Sequence, residues 1–309
     1  MNKLPLHITN GNNLTSYLNE LSIAGDKLSW QEMLCEGPTT KTVYSDEFLK
    51  SRQTFFDAFY DIDLNIEEIS HELNKLNNIT NYSEIILWFE YDLFCHINLL
   101  AVINLIQQKK ITLPLYLVCS GRIKGNKTLK GLSELLPEEL LKHYKNKVLL
   151  NQEAITIATS VWEIYCGKDH NLLKPYIIKP SAFMYLSTCL KAHLERFPDL
   201  KDGLNVLERN ILKIINQYKI TSKNQLLGYA INYQGFYGYG DLQLLRIINN
   251  LSIFYTVENN RLVLNRKGHE ALLGQQNFSS EINDTITFGG VKKMSYQFCN
   301  AENKLIKSV

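Results

Sequence analysis

The stretch EIILWFEYDLFCHINLL, Glu84 to Leu100, decides the fold. Its first part, EIILWF (84–89), is apolar almost throughout, as a central parallel strand buried on both faces must be. From about Asp92 to Gln108 the apolar residues cover nearly the whole helical circumference, so this predicted helix is buried too. Glu90 and Asp92 stand at the joint between the two. A carboxylate continuing a buried strand is costly unless it is paired or solvated, so chemistry is sought at this joint.

Working outward, LPLHIT (4–9) predicts a first strand, NGNN (10–13) a turn, and Leu14, Tyr17, Leu18 and Leu21 share one face of a helix capped by Asn13. KLSW (27–30) is a second strand, followed by a loop broken at Gly37 and Pro38. Two acidic helices, about 45–60 and 65–77, precede the decisive stretch, and LPLYLVC (113–119) is a fourth strand. The alternation predicts an α/β fold, a small Rossmann-like doubly wound parallel sheet over residues 1–131, with the first and third strands adjacent and their helices on opposite faces. RIKGNKTLKG (122–131) reads as a basic loop.

A helical segment follows over 132–202. Residues 203–274 carry three amphipathic helices, a two-strand pattern in IFYTVENNRLVLN and a closing helix, the order of a winged helix-turn-helix. A C-terminal β-rich tail spans 275–309, with SYQFCNAENKLIK as a hairpin and Gly289–Gly290 as a tight turn or close backbone approach.

Composition narrows the function classes. The chain has 309 residues, 45% hydrophobic and 21% charged, an ordinary soluble balance. MNKLPLHITN lacks the apolar run of a signal peptide, and no window is long and apolar enough to span a membrane. The six cysteines include no CxxC pair, which speaks against a zinc knuckle and fits a reducing cytoplasm. Residues 1–100 hold 6 Lys/Arg against 15 Asp/Glu, whereas 203–309 hold 12 against 7. An acidic front and a basic back suit different partners, nucleic acid among those of the back.

The switch-point rule places a ligand crevice beyond the carboxyl ends of the first and third strands. It gathers Asn10, Gly11, Asn12 and Asn13 opposite Glu90 and Asp92, with Glu32 and Glu36 from the second loop and Arg122 and Lys124 from the fourth. Paired carboxylates suit acid–base work or magnesium, and a basic loop with a helix N-terminus suits a small anionic ligand, such as a metabolite or nucleotide. Hydrolase or transferase chemistry would follow from such a pair. The competing reading of Asp92 is a helix cap. His7, within the first strand, is a further catalytic candidate beside the commoner reading of a satisfied core histidine. NGNN has one glycine where a dinucleotide fingerprint wants three, and no P-loop motif is present. In the winged helix, Arg246, Arg261 and Arg266 are the candidates for nucleic-acid contact, a sparse supply for neutralising phosphate. A protein-interaction scaffold without catalysis is the third class, and the sequence leaves the oligomeric state open.

The phrases LHITNGNNL, LSWQEMLCEGPTT, ILWFEYDLFCHINLL, GLNVLERNIL and GYGDLQLLRIINNL together resemble the bacterial domain-of-unknown-function family 1835. The resemblance implies a cytosolic bacterial protein with a Rossmann-like front and brings no reaction with it. An aspartate often stands in that family where this chain has Asn12, so a role needing charge at that position does not carry over.

Overall fold

A computed structural model describes residues 3–121, 123 and 129–308. The front sheet has five strands: β1 (Leu4–Asn10), β2 (Asp26–Trp30), β4 (Tyr82–Trp88), β5 (Leu115–Val118) and a short β6 (Val148–Leu149). Their order is β2-β1-β4-β5-β6, parallel except for β6, which closes the edge antiparallel to β5. The first and third predicted strands are therefore neighbours, with His7 beside Ile86 and Thr9 beside Trp88. The two-residue β6 was not foreseen. It carries too little alternation to announce itself.

Pleating assigns the faces. Ile86, Trp88 and Val118 pack against Leu14 and Leu18 of α1 (Asn12–Glu20) and Leu140 of α5 (Pro137–Lys145). Leu6, Ile8, Ile85 and Leu87 lie in the cluster formed with α4 (Leu93–Gln108). The helices after β1 and β4 thus cover opposite faces. The far side of α4 meets α6 (Gln152–Tyr165) and α8 (Leu186–Glu195), which is why it is apolar all round. The outer edge of β2 is blocked. Glu72 of α3 (Ile66–Leu73) accepts from the Ser29 amide at 3.0 Å, and Lys75 donates to the Lys27 carbonyl at 2.7 Å. Those are the groups another strand would need.

The winged-helix-like part comprises α9 (Val206–Gln217), α10 (Lys223–Tyr233), α11 (Asp241–Asn250), the antiparallel β7 (Tyr255–Glu258) and β8 (Arg261–Leu264), and α12 (Arg266–Leu273). In the tail, β9 (Thr287–Gly289) pairs with β10 (Val291–Lys292) and, in parallel, with β3 (Gly37–Pro38), while β11 (Tyr296–Cys299) and β12 (Lys304–Lys307) form the predicted hairpin. Gly289 and Gly290 are a close backbone approach: a Cβ on either would fall 2.0 to 2.1 Å from the carbonyl oxygens of Tyr165 or Gly167. Apolar side chains from all four sequence segments share one cluster, from Leu6 to Leu305.

Arg196 is buried, and among the described residues it has no carboxylate partner. Its guanidinium donates to His193 Nδ1, the Tyr239 and Tyr165 hydroxyls and the Cys35 carbonyl, and lies 3.8 Å from the centroid of the Phe288 ring. Phe288 and Tyr239 come from the tail and the winged-helix part, so one cation holds front, middle and rear together.

Candidate functional site

The joint between β4 and α4 is built by two capping contacts. Asp92 is the N-cap of α4, and its Oδ1 accepts from the Cys95 amide at 2.7 Å. Glu90 turns the other way and accepts from the Leu132 amide at 2.6 Å, under the backbone of Gly131, where a Cβ would lie 2.7 Å from its Oε2. Glu90 is partly buried, and Asp92 and Cys95 are buried. One ligand atom from each of Glu90, Asp92 and Cys95 lies within 4.8 Å of the others.

Among the described residues neither carboxylate has an ion-pair partner. Burial, and next the charge of Asp92, push Glu90 up to about 7. Burial pushes Asp92 up to about 6 against the helix-cap bonds that favour its ionised form. The Cys95 thiol is driven upward by the same burial and by both acids. Three groups that each resist a negative charge, facing one another, form a site that a cation or a shared proton would relieve.

The NGNN turn reaches this cluster through Cys95. Asn10 Nδ2 contacts Cys95 Sγ at 3.0 Å, and Asn10 Oδ1 accepts from Asn98 of α4 at 2.8 Å. Gly11, at φ 92°, is the N-cap of α1 and makes no side-chain cap, where Asn13 had been expected. The turn needs a positive φ while its amide reaches the Trp30 carbonyl at 2.9 Å, and glycine alone adopts that freely. Asn12 lines a cavity along β2, and Asn13 is exposed. Arg122 and Lys124 lie outside the described residues.

Other sequence candidates are placed elsewhere. Glu32 is buried and paired with Arg52 at 3.0 Å. Glu36 is buried between Arg246, at 2.9 Å, and the Tyr60 hydroxyl. His7 accepts from Trp88 Nε1 at Nδ1 and bonds the Ala24 carbonyl through Nε2, both at 3.0 Å, on the α1 face of the sheet. Burial lowers its pKa and keeps it neutral. With both ring nitrogens engaged, it is the satisfied core histidine. Arg246 does not reach outward either: it spans Glu36 and Asp284 at 2.9 and 2.8 Å, docking α11 onto the front and the tail. Asp284 completes a buried chain through Lys293 to Glu208. Burial alone would raise Asp284, yet Lys293 and Arg246 hold it down to about 2. Arg261 is exposed on the wing, and Arg266 is exposed and paired with Glu270.

Two features of the site escaped sequence reading. Cys95 joins the acids because residue N3 of a helix lies over its N-cap side chain, so the D-x-x-C spacing was the available signal. The second is the segment joining α10 to α11. The Phe236 and Tyr237 carbonyls accept from the Leu93 and Phe94 amides at 2.8 and 3.2 Å. Gly238, at φ 68°, lies so close that a Cβ would fall 2.2 Å from Asp92 Cγ. The crevice expected to be open is closed by this strap, and the free amides of α4 are already used. No local pattern could reveal a contact between positions almost 150 residues apart. The glycine-rich GFYGYG was its only mark.

No family model and no curated protein matches the chain, so the resemblance noted in the sequence gains no support from those comparisons. Among solved structures, it is similar to the crystal structure of the Plasmodium falciparum topoisomerase II DNA-binding, cleavage and re-ligation domain. That similarity has a TM-score of 0.49 and 16% identity; it covers 84% of this chain and 43% of that one.

Proposed function

We propose that the chain is a sensor in which a cation held by Glu90, Asp92 and Cys95 governs the winged-helix part, and that this part contacts nucleic acid. The strap carries the reading: Phe236, Tyr237 and Gly238 close over Asp92 and the first turn of α4 and belong to the winged-helix part. Anything that changes charge or volume at Asp92 therefore acts on the connection between α10 and α11.

Two carboxylates and a thiol suit a borderline cation such as zinc better than magnesium, which prefers oxygen ligands alone. A dication at the site would lower the Cys95 thiol and favour its thiolate. The nucleic-acid half is supported by the winged-helix order of elements and by the basic balance of residues 203–309. Six free thiols suit a reducing cytoplasm, and among the described residues no helix is long and apolar enough to cross a membrane.

The test is a thermal-shift series with zinc, manganese and magnesium on the wild-type chain and Asp92→Asn. A ligand that binds only the folded state raises its apparent stability. We expect a cation-dependent rise in Tm that Asp92→Asn removes; equal shifts in both proteins would refute the site.

A second reading, a small anionic metabolite or nucleotide, is supported by a cavity of about 470 Å³ beyond β5 whose lining includes Lys142 and His143. A nucleotide that raises Tm in wild type and not in Lys142→Gln would favour it.

A further inference from the structure

The outward face of α9 and α10 has a composition that the sensor reading does not use. From Arg209 to Gly240 the chain carries Arg209, Lys213, Lys219 and Lys223 and not one Asp or Glu. Arg209 is taken by Asp202 at 2.6 Å. Lys213, Lys219 and Lys223 are exposed, and Lys223, which borders α11, reaches among the described residues the neutral Asn249 of that helix. Directly before Lys219 stands Tyr218, 42% exposed, whose ring centroid lies 5.0 Å from that of Tyr229. Tyr229 in turn lies 6.2 Å from Tyr233, nearly parallel at 16°, and Tyr233 is 58% exposed.

The three tyrosines thus form a row that ends in two exposed rings, Tyr218 and Tyr233. Aromatic rings cover apolar area at low entropic cost and are normally buried or engaged. Here the row lies on an acid-free, lysine-bearing stretch, the pairing of stacking faces with cations that unpaired bases and their phosphates require.

We infer that this α9–α10 face, and not the face of α11, binds single-stranded nucleic acid. The inference rests on the nucleic-acid half of the proposed function and names the surface and the ligand class. Duplex reading by α11 lacks means. Its one arginine, Arg246, is pinned between Glu36 and Asp284, and its exposed positions include Asp241, Leu242 and Asn249. Bases inside a duplex present edges and hide their faces, so a tyrosine row recognises strands whose bases are already unstacked.

The experiment is fluorescence anisotropy on the full chain with a labelled thymidine oligonucleotide of about twenty nucleotides. A duplex of the same length and a polyglutamate peptide serve as competitors. Wild type should bind the single strand in low salt, and unlabelled duplex and peptide should compete poorly. Tyr233→Ala and Tyr218→Ala, both at exposed positions, should each weaken binding by about tenfold with unchanged Tm. Lys213→Gln with Lys219→Gln should flatten the salt dependence by roughly 0.7 in log–log slope per lost phosphate contact. Arg261→Ala on the wing with Arg266→Ala at the start of α12 should change nothing. Loss in the wing variant with none in the tyrosine variants would overturn the assigned face and leave the nucleic-acid reading standing. Equal competition by duplex or by polyglutamate would overturn the ligand class, and absence of any nucleic-acid binding would overturn both.

Discussion

Glu90→Gln separates a buried uncompensated carboxylate from a structural cap. Gln keeps the acceptor for the Leu132 amide, so the cap at 132–134 survives while the charge goes. The wild-type carboxyl is pushed up to about 7 by burial and then by Asp92. Its folded pKa thus lies above its unfolded value, and the folded state holds the proton more tightly. Without a bound cation, the contribution of this carboxyl to stability is greatest at low pH and falls as pH rises from the unfolded pKa through about 7. A rise of that size corresponds to about 3 kcal/mol at full ionisation. With unfolding entropy near 2.1 cal/mol/K per residue, this is about 4 to 5 °C in Tm for a chain of this length. Melting curves of the metal-free protein are the assay. At about pH 7.5 Glu90→Gln should melt higher than wild type, and at about pH 5 the difference should mostly vanish. The carboxyls of Glu90 and Asp92 titrate together, so only the pair's total is sought. A mutant that melts lower than wild type by the same amount at both pH values would refute the reasoning, because it would mean that the ionised carboxylate stabilises the fold.

Gly238→Ala must strain a residue at φ 68° and push against the Asp92 carboxylate. It should lower stability by about 1 to 3 kcal/mol and speed hydrogen exchange at Leu93 and Phe94, and unchanged exchange there would show that the strap does not depend on this contact. Arg246→Met leaves Glu36 and Asp284 buried with one cation fewer. The expected loss is about 3 to 5 kcal/mol by denaturant melt, and a loss under about 1 kcal/mol would mean that α11 is not held by this pair. Arg52→Met should cost a similar amount through Glu32, about 3 kcal/mol, without altering the cation response. Asp284 is held down to about 2, so the stability it contributes is present above the ordinary aspartate range and lost only as pH falls toward 2; Asp284→Asn should therefore be destabilised at neutral pH and converge with wild type in strong acid.

The chain's own pattern determined most of the architecture. EIILWF and the helix after it are apolar on every side, and only a central strand and a sandwiched helix can bury such surfaces, so the sheet's middle was legible. The three amphipathic helices and the two strands before Arg266 were legible for the same reason: hydrophobic periodicity is local. Asp92 was legible as a cap because capping is a matter of three residues. What periodicity cannot carry is which distant groups meet. Glu32, Glu36 and Arg246 read as free charges in sequence, and only the packed chain decided that each is paired in the interior, where an unpaired charge costs several kcal/mol. The same packing set Cys95 against the acids, closed the crevice with Phe236 to Gly238, and turned the cation of α11 inward while leaving three tyrosines in a row outside. Backbone pattern dictates which surface each element must hide. The element that hides it, and so which charges and rings remain outside, is settled when long-range contacts form.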